Sequence, residues 1–145
     1  MKKIIILSFI LSVLVSNFAF AQKGAVISFD KTVHDYGTIV QNDNGDCFFA
    51  FTNTGNEPLI LSSVRSSCGC TTPKWPKEPI LPSASAKIKV HYDTRRLGAI
   101  NKQITVMSNA STPTVVLKIK GKVQKKPTEI VPTQNLNNSA LPTAN

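Results

Sequence analysis

The chain has 145 residues and a formal net charge of +9, from 17 Lys and Arg against 8 Asp and Glu, with 41% hydrophobic and 7% aromatic residues. That length holds one ordinary globular domain and excludes a multidomain enzyme. Only 17% of residues are charged, and no solenoid repeat is present, which excludes a disordered polyelectrolyte, a long coiled coil and a repeat array.

The first element is an export segment. Met1-Lys2-Lys3 is a short basic start, Ile4 to Val15 is an apolar run broken only by Ser8 and Ser12, and Ala19-Phe20-Ala21 has the small-x-small form of a signal peptidase site. The apolar run is shorter than the roughly 20 residues needed to span a bilayer, and Ser16 and Asn17 interrupt its end. Residues 1–21 are therefore expected to be removed. Removal leaves 124 residues and, with Lys2 and Lys3 gone, a net charge of +7. It also implies a periplasmic, cell-surface or extracellular setting in which thiols can oxidise.

From Ala25 onward, short alternating segments separated by turn residues predict an all-β domain over residues 22–123. Ala25 to Phe29 is a first strand, and Thr38 to Val40 a second. Asn42-Asp43-Asn44-Gly45 then predicts a tight hairpin into Cys47 to Thr52, whose alternation puts Cys47, Phe49 and Phe51 on one inward face. Asn53 to Pro58 is a turn into Leu59 to Arg65, after which four prolines between Pro73 and Pro82 exclude a regular central strand. In Lys87 to Tyr92 the residues Ile88, Val90 and Tyr92 face one way, and Lys87, Lys89 and His91 the other. Gln103 to Met107 follows the turn at Arg95 to Gly98. The last strand, Thr114 to Val123, directs Val115, Leu117, Ile119 and Val123 inward and Lys118, Lys120 and Lys122 outward. About seven strands at this spacing predict an immunoglobulin-like β-sandwich. Residues 124–145, with three prolines and no burial period, read as a disordered tail.

Four ordered motifs carry a resemblance: His34-Asp35-Tyr36-Gly37-Thr38-Ile39, Phe49-Ala50-Phe51-Thr52-Asn53-Thr54-Gly55-Asn56-Glu57-Pro58-Leu59, Ser67-Cys68-Gly69-Cys70-Thr71 with Pro76 beyond it, and Ile88-Lys89-Val90-His91-Tyr92-Asp93-Thr94. Over about residues 29 to 123 the chain resembles the bacterial family named domain of unknown function 1573. The resemblance implies an exported module, similar in fold to the immunoglobulin-like domains of the major sperm protein and hydin class, with no assigned activity. Cys47 departs from the family pattern, so no role is carried over to it.

Cys68 and Cys70 are the residues expected to carry chemistry. Gly69 lacks the Cβ that would hinder bending, so the two sulfurs can converge. Three arrangements follow: a Cys68–Cys70 disulfide whose small ring favours thiol exchange, a soft-metal site in which two thiolates suit Cu(I), or a structural bridge from Cys47 to one of the pair. An inward Cys47 beside two phenylalanines also suits a plain buried thiol. Arg65 and Lys74 could depress a thiol pKa on close approach. Neither His34-Asp35 nor His91 with Asp93 is accompanied by a nucleophile motif, and no phosphate loop or zinc-protease motif is present. The expectation is thus not an enzyme, and no cofactor.

The Lys118, Lys120, Lys122 row, continued by Lys125 and Lys126, could attract anions. Lysines on a terminal strand also block edge-to-edge aggregation, and few aromatics are interleaved for base stacking, so nucleic acid is not the expected partner. The leading expectation is an exported binding or structural module of the bacterial cell envelope, without a transmembrane span after signal cleavage. It would meet a protein or envelope partner through the loop Ser66 to Pro82, with Trp75, Lys74 and Arg65 as contact residues. The alternative is a thiol-redox or copper-handling protein built on Cys68 and Cys70.

Overall fold

The computed structural model describes residues 24–127; the predicted export segment and the predicted tail from residue 128 onward lie outside them. The described residues form eight strands and no helix: β1 (Ile27–Phe29), β2 (Val33–Val40), β3 (Asp46–Asn53), β4 (Leu61–Ser66), β5 (Thr71–Lys74), β6 (Ser85–Tyr92), β7 (Gly98–Ser108) and β8 (Thr114–Gln124). They make two four-stranded sheets, in the orders β1-β3-β6-β5 and β2-β8-β7-β4. This is the expected immunoglobulin-like sandwich with one strand more than the sequence suggests.

Period-2 alternation builds the core. In β3 the side chains of Cys47, Phe49, Phe51 and Asn53 point inward, opposite Val90, Ile88 and Ala86 of β6 for the first three. From the other sheet, Ile104 and Val106 of β7 pair with Leu117 and Val115 of β8. Phe49, Phe51, Ile88, Ile104, Leu117 and Ile119 are fully buried between the layers. Each such side chain stabilises the fold by about 1.5–3 kcal/mol relative to exposure.

The connectivity corrects two expectations and keeps a third. As the prolines require, no central strand occupies residues 73–82: β5 contains Pro73 and lies at a sheet edge beside β6 only, where a missing N–H costs no ladder bond. The residues Asn42 to Gly45 do not close a hairpin: β2 and β3 belong to different sheets, and the segment carries the chain across the sandwich. Asn42 adopts a φ of 70° there, and Gly45 is required because a β-carbon would overlap the carbonyl oxygen of Tyr92. Finally, β8 is no edge strand. It lies between β2 and β7, so Lys118, Lys120 and Lys122 line the outer face of a sheet and do not guard its edge.

The Tyr36-Gly37 step makes a bulge. β2 runs parallel to β8 with Asp35 opposite Lys120 and Thr38 opposite Lys122, so two residues of β2 face Gly121 alone. Gly37 takes a φ of 61°, and a β-carbon on Gly121 would lie 2.9 Å from the Gly37 carbonyl oxygen. The bulge turns Tyr36 inward, where its hydroxyl donates to the Gly45 carbonyl at 2.7 Å and ties the crossover to β2.

Candidate functional site

Two places gather the residues with chemical potential: the turn that carries Cys68 and Cys70, and the outer face of β3, β6 and β5. The turn spans residues 67–70 and crosses from β4, the edge of one sheet, to β5, the edge of the other. Cys68 and Cys70 are joined by a disulfide with their Cα atoms 5.3 Å apart. Several bonds hold this link from both sides. The Ser66 hydroxyl meets the carbonyls of Cys68 at 2.5 Å and Thr71 at 2.6 Å, Ser67 N–H donates to Gln103 O at 2.9 Å, and Asp93 N–H donates to Cys70 O at 2.9 Å.

The two sulfurs differ in access. Cys70 is 7% exposed and belongs to the core, whereas Cys68 is half-buried between exposed Ser67 and Gly69. No atom would lie within 4 Å of a β-carbon built on Gly69, so the space before the turn is open. The Thr71 hydroxyl lies 3.6 Å from Cys68 Sγ and 3.8 Å from Cys70 Sγ. Because disulfide sulfurs carry no proton, the hydroxyl is the donor to either one. Sequence reading singled out the cysteines and passed over this threonine; its place directly after Cys70 was the available signal.

Cys47 is excluded from the pair. It is a free thiol, 2% exposed on the inward face of β3, and burial pushes its pKa up against a smaller opposing effect of the Tyr36 hydroxyl. Burial, with Cys47 as neighbour, likewise raises the Tyr36 phenol well above its ordinary range. The bridge from Cys47 to the turn is therefore not formed. In this oxidised form the two turn sulfurs are bonded to each other, and among the described residues no group of three or more His, Cys, Asp or Glu side chains gathers together.

The residues expected to line one contact loop do not converge. Arg65 is exposed on β4, while Lys74 is exposed on β5 of the other sheet, so both point to outer faces and away from the buried Cys70. Trp75 packs against the core with its indole N–H buried and unpartnered, and the Lys77 ammonium sits 3.2 Å from its ring centroid.

The sheet face holds what the loop lacks. Register sets Asp46 opposite His91 and His91 opposite Thr72, and in the next outward row Phe48 opposite Lys89 and Lys89 opposite Lys74. Asp46, Thr72, Lys74, Lys89 and His91 line an open depression of about 370 Å³. The Asp46 carboxylate accepts from Lys89 Nζ at 2.6 Å and from His91 Nδ1 at 2.7 Å. These bonds, Lys89 first, hold its pKa below the usual carboxylate value. Beside the depression, Phe48 is 44% exposed, with the Lys87 ammonium 5.0 Å and the Lys89 ammonium 5.9 Å from its ring centroid.

The remaining polar candidates are dispersed. His34 is half-buried against Tyr36, with ring centroids 4.6 Å apart, and burial, reinforced by Lys31, lowers its pKa. Asp93 is occupied by Arg95, which reaches its two oxygens at 2.8 and 3.0 Å, and so is not the partner of His91. On the other sheet, Lys120 pairs with Asp35 at 3.3 Å, which leaves Lys118 and Lys122 as the flanking cations of that row. Among the described residues no helix is long and apolar enough to cross a membrane.

Comparison with known proteins returns a family and a fold. Residues 27–123 match the family described as "Protein of unknown function (DUF1573)", and none of the curated proteins compared matches the sequence. A protein of unknown function from Porphyromonas gingivalis W83 superposes with a TM-score of 0.62 at 22% identity, over 73% of this chain and 51% of that one. The ASH/PapD-like domain 7 of human CEP192 superposes with a TM-score of 0.60 at 8% identity, over 72% of this chain and 89% of that one. A family 123 glycoside hydrolase from Clostridium perfringens reaches 0.52 at 12% identity, over 71% of this chain and 27% of that one. The chain thus spans about half the length of the Porphyromonas protein. At these identities the likeness is one of fold alone.

Proposed function

The chain belongs to this DUF1573 family of immunoglobulin-like β domains, and on that premise we propose that it is an exported, non-enzymatic binding module of the bacterial cell envelope. Export is supported by the basic start, apolar run and Ala-Phe-Ala site of residues 1–21. One observation carries the binding reading: β3, β6 and β5 present Phe48 with Lys74, Lys87, Lys89 and His91 on a single outer face, around one carboxylate, Asp46.

The chemistry of that face favours a protein partner with acidic side chains. An exposed aromatic ring supplies apolar contact area at low entropic cost, and the surrounding ammonium groups steer and orient anionic groups. The contact region expected at Ser66 to Pro82 moves accordingly from the loop to the sheet, with Thr72 and Lys74 as the loop's contribution.

A photo-crosslinking residue at Phe48, compared with the same residue at Lys120 on the opposite sheet, tests both parts in intact cells. The expected result is a mature protein beginning at Gln22 in the envelope fraction, and a discrete adduct from position 48 that is absent from position 120. Retention of residues 1–21 in the cytoplasm would refute export. Equal adducts from both faces, or none from position 48, would refute the binding surface.

A further inference from the structure

The turn between β4 and β5 has a polarity that a merely structural crosslink does not need. Cys68 is partly exposed and Cys70 is buried in the core, with the buried Thr71 hydroxyl near both sulfurs. We propose that Cys68–Cys70 is a thiol–disulfide exchange site for a dithiol reductant, in which Cys68 is the sulfur attacked and Cys70 the sulfur that leaves. The observations behind this assignment are separate from those behind the binding face, so either can fail without the other.

Exchange proceeds by in-line attack of a thiolate on one sulfur, with departure of the other along the same axis. Of the two cysteines only Cys68 is partly exposed, next to the exposed Gly69, so the incoming thiolate forms its bond there. The Cys68–Cys70 bond breaks, and its electron pair stays on Cys70 Sγ. The Thr71 hydroxyl, 3.8 Å from that sulfur in the disulfide, donates to the thiolate as charge develops; a proton from solvent then converts it to the thiol. The second thiolate of the reductant attacks its own sulfur in the mixed disulfide, closes the reductant's disulfide and releases Cys68, which takes up the second proton. Two electrons and two protons pass from the dithiol to the protein, and the reverse sequence oxidises it.

Cys47 provides a built-in reporter of folding. It is buried and unpaired, so an alkylating agent reaches it only when the sandwich opens. The full chain is exposed to dithiothreitol for graded times, quenched with iodoacetamide and mapped by mass spectrometry. The expected outcome is alkylation of the partly exposed Cys68 at least tenfold faster than of Cys47. A parallel reaction with the monothiol glutathione is expected to place its adduct on Cys68 in preference to Cys70 by a similar factor.

Thr71→Val keeps the shape of the side chain and removes the hydroxyl. It is expected to slow reduction several-fold and to move the pH profile of Cys70 alkylation in the reduced protein upward, which a role in packing alone would not do. The proposal is overturned if Cys68 becomes labelled only as fast as Cys47, because the disulfide then opens only on unfolding. Adducts equally divided between the sulfurs, or found on Cys70, overturn the assigned direction. Should Thr71→Val fail to fold, the wild-type adduct map and the Cys47 comparison decide the matter alone.

Discussion

Removal of the Asn53 side-chain amide tests the reasoning about the fold most directly. Asn53 is 0% exposed, yet every polar atom of its side chain is bonded. Its Oδ1 accepts from Val26 N–H at 3.3 Å and Gly55 N–H at 3.1 Å, and its Nδ2 donates to the carbonyls of Glu57 at 2.8 Å and Ile80 at 2.9 Å. One residue thereby ties the residue leading into β1, the turn after β3 and the segment leading into β6. In Asn53→Ala, Ile80 O keeps its bond from Leu59 N–H, while Val26 N–H, Gly55 N–H and Glu57 O lose theirs. At about 1 kcal/mol for each group left without a partner in a half-buried place, the loss is about 3 kcal/mol. For a domain of this size that corresponds to a fall in Tm of roughly 12–24 °C.

Asn53→Asp sharpens the test. An ionised carboxylate would face the Glu57 and Ile80 carbonyls in place of the amide donor, so burial and repulsion raise its folded pKa above the unfolded value of about 3.9. The folded state then holds its proton more tightly. Relative to wild type, the variant must lose stability as pH rises from about 4 and reach its largest deficit above the folded pKa. Urea unfolding at pH 4 and pH 7 measures this. A loss below about 1 kcal/mol in Asn53→Ala, or a pH-independent deficit in Asn53→Asp, would refute the argument.

Three further outcomes follow from single sites. Gly45→Ala would drive a β-carbon into the Tyr92 carbonyl oxygen and is expected to lower the urea midpoint by an amount equivalent to more than about 2 kcal/mol; an unchanged midpoint would show that the crossover is free to shift. Hydrogen bonds from the Arg95 side chain hold the Asp93 pKa at about 2, so this pair favours the fold above pH 3.8 and loses its effect as pH falls through about 2. Asp93→Asn should therefore flatten the acid limb of a Tm-against-pH curve, and an identical limb would count against the pair. Thiol counting with Ellman's reagent should find none reactive in the native oxidised protein and one, Cys47, in denaturant, since this thiol is buried and its pKa is raised.

Legibility in the sequence followed the range of each interaction. Alternation within one strand is local, and it placed the inward rows of β3, β6 and β8 and the outward lysines correctly. Partner identity depends on register between strands distant in sequence, and there local cues misled. Proximity suggested Asp93 for His91, but the β3–β6 register supplies Asp46. The Asn-Asp-Asn-Gly cluster signals a reversal of direction equally well whether the next strand joins the same sheet or the opposite one; here it crosses. The four-residue β5 was hidden because Pro73 argues against a strand everywhere except at an edge. Asn53 looked like an ordinary turn residue, since nothing in a single strand shows that its amide will be buried among four backbone groups.

The short strand β5 also connects the two functional proposals physically. It begins at Thr71, beside the sulfurs, and its Thr72 and Lys74 line the depression on the outer face. Its entry is held by the disulfide, by Ser66 and by the bond from Asp93 N–H to Cys70 O. As an edge strand it has a neighbour in its sheet on one side only. Opening the disulfide removes one of these restraints and gives Thr72 and Lys74 more freedom, which a partner bound at the face must then offset. Linkage is reciprocal, so a partner that binds the oxidised form more tightly by some factor must make the disulfide harder to reduce by the same factor. Equal affinity for the oxidised and reduced forms would mean that β6 alone holds β5 in register, and that the two sites work independently on one sandwich.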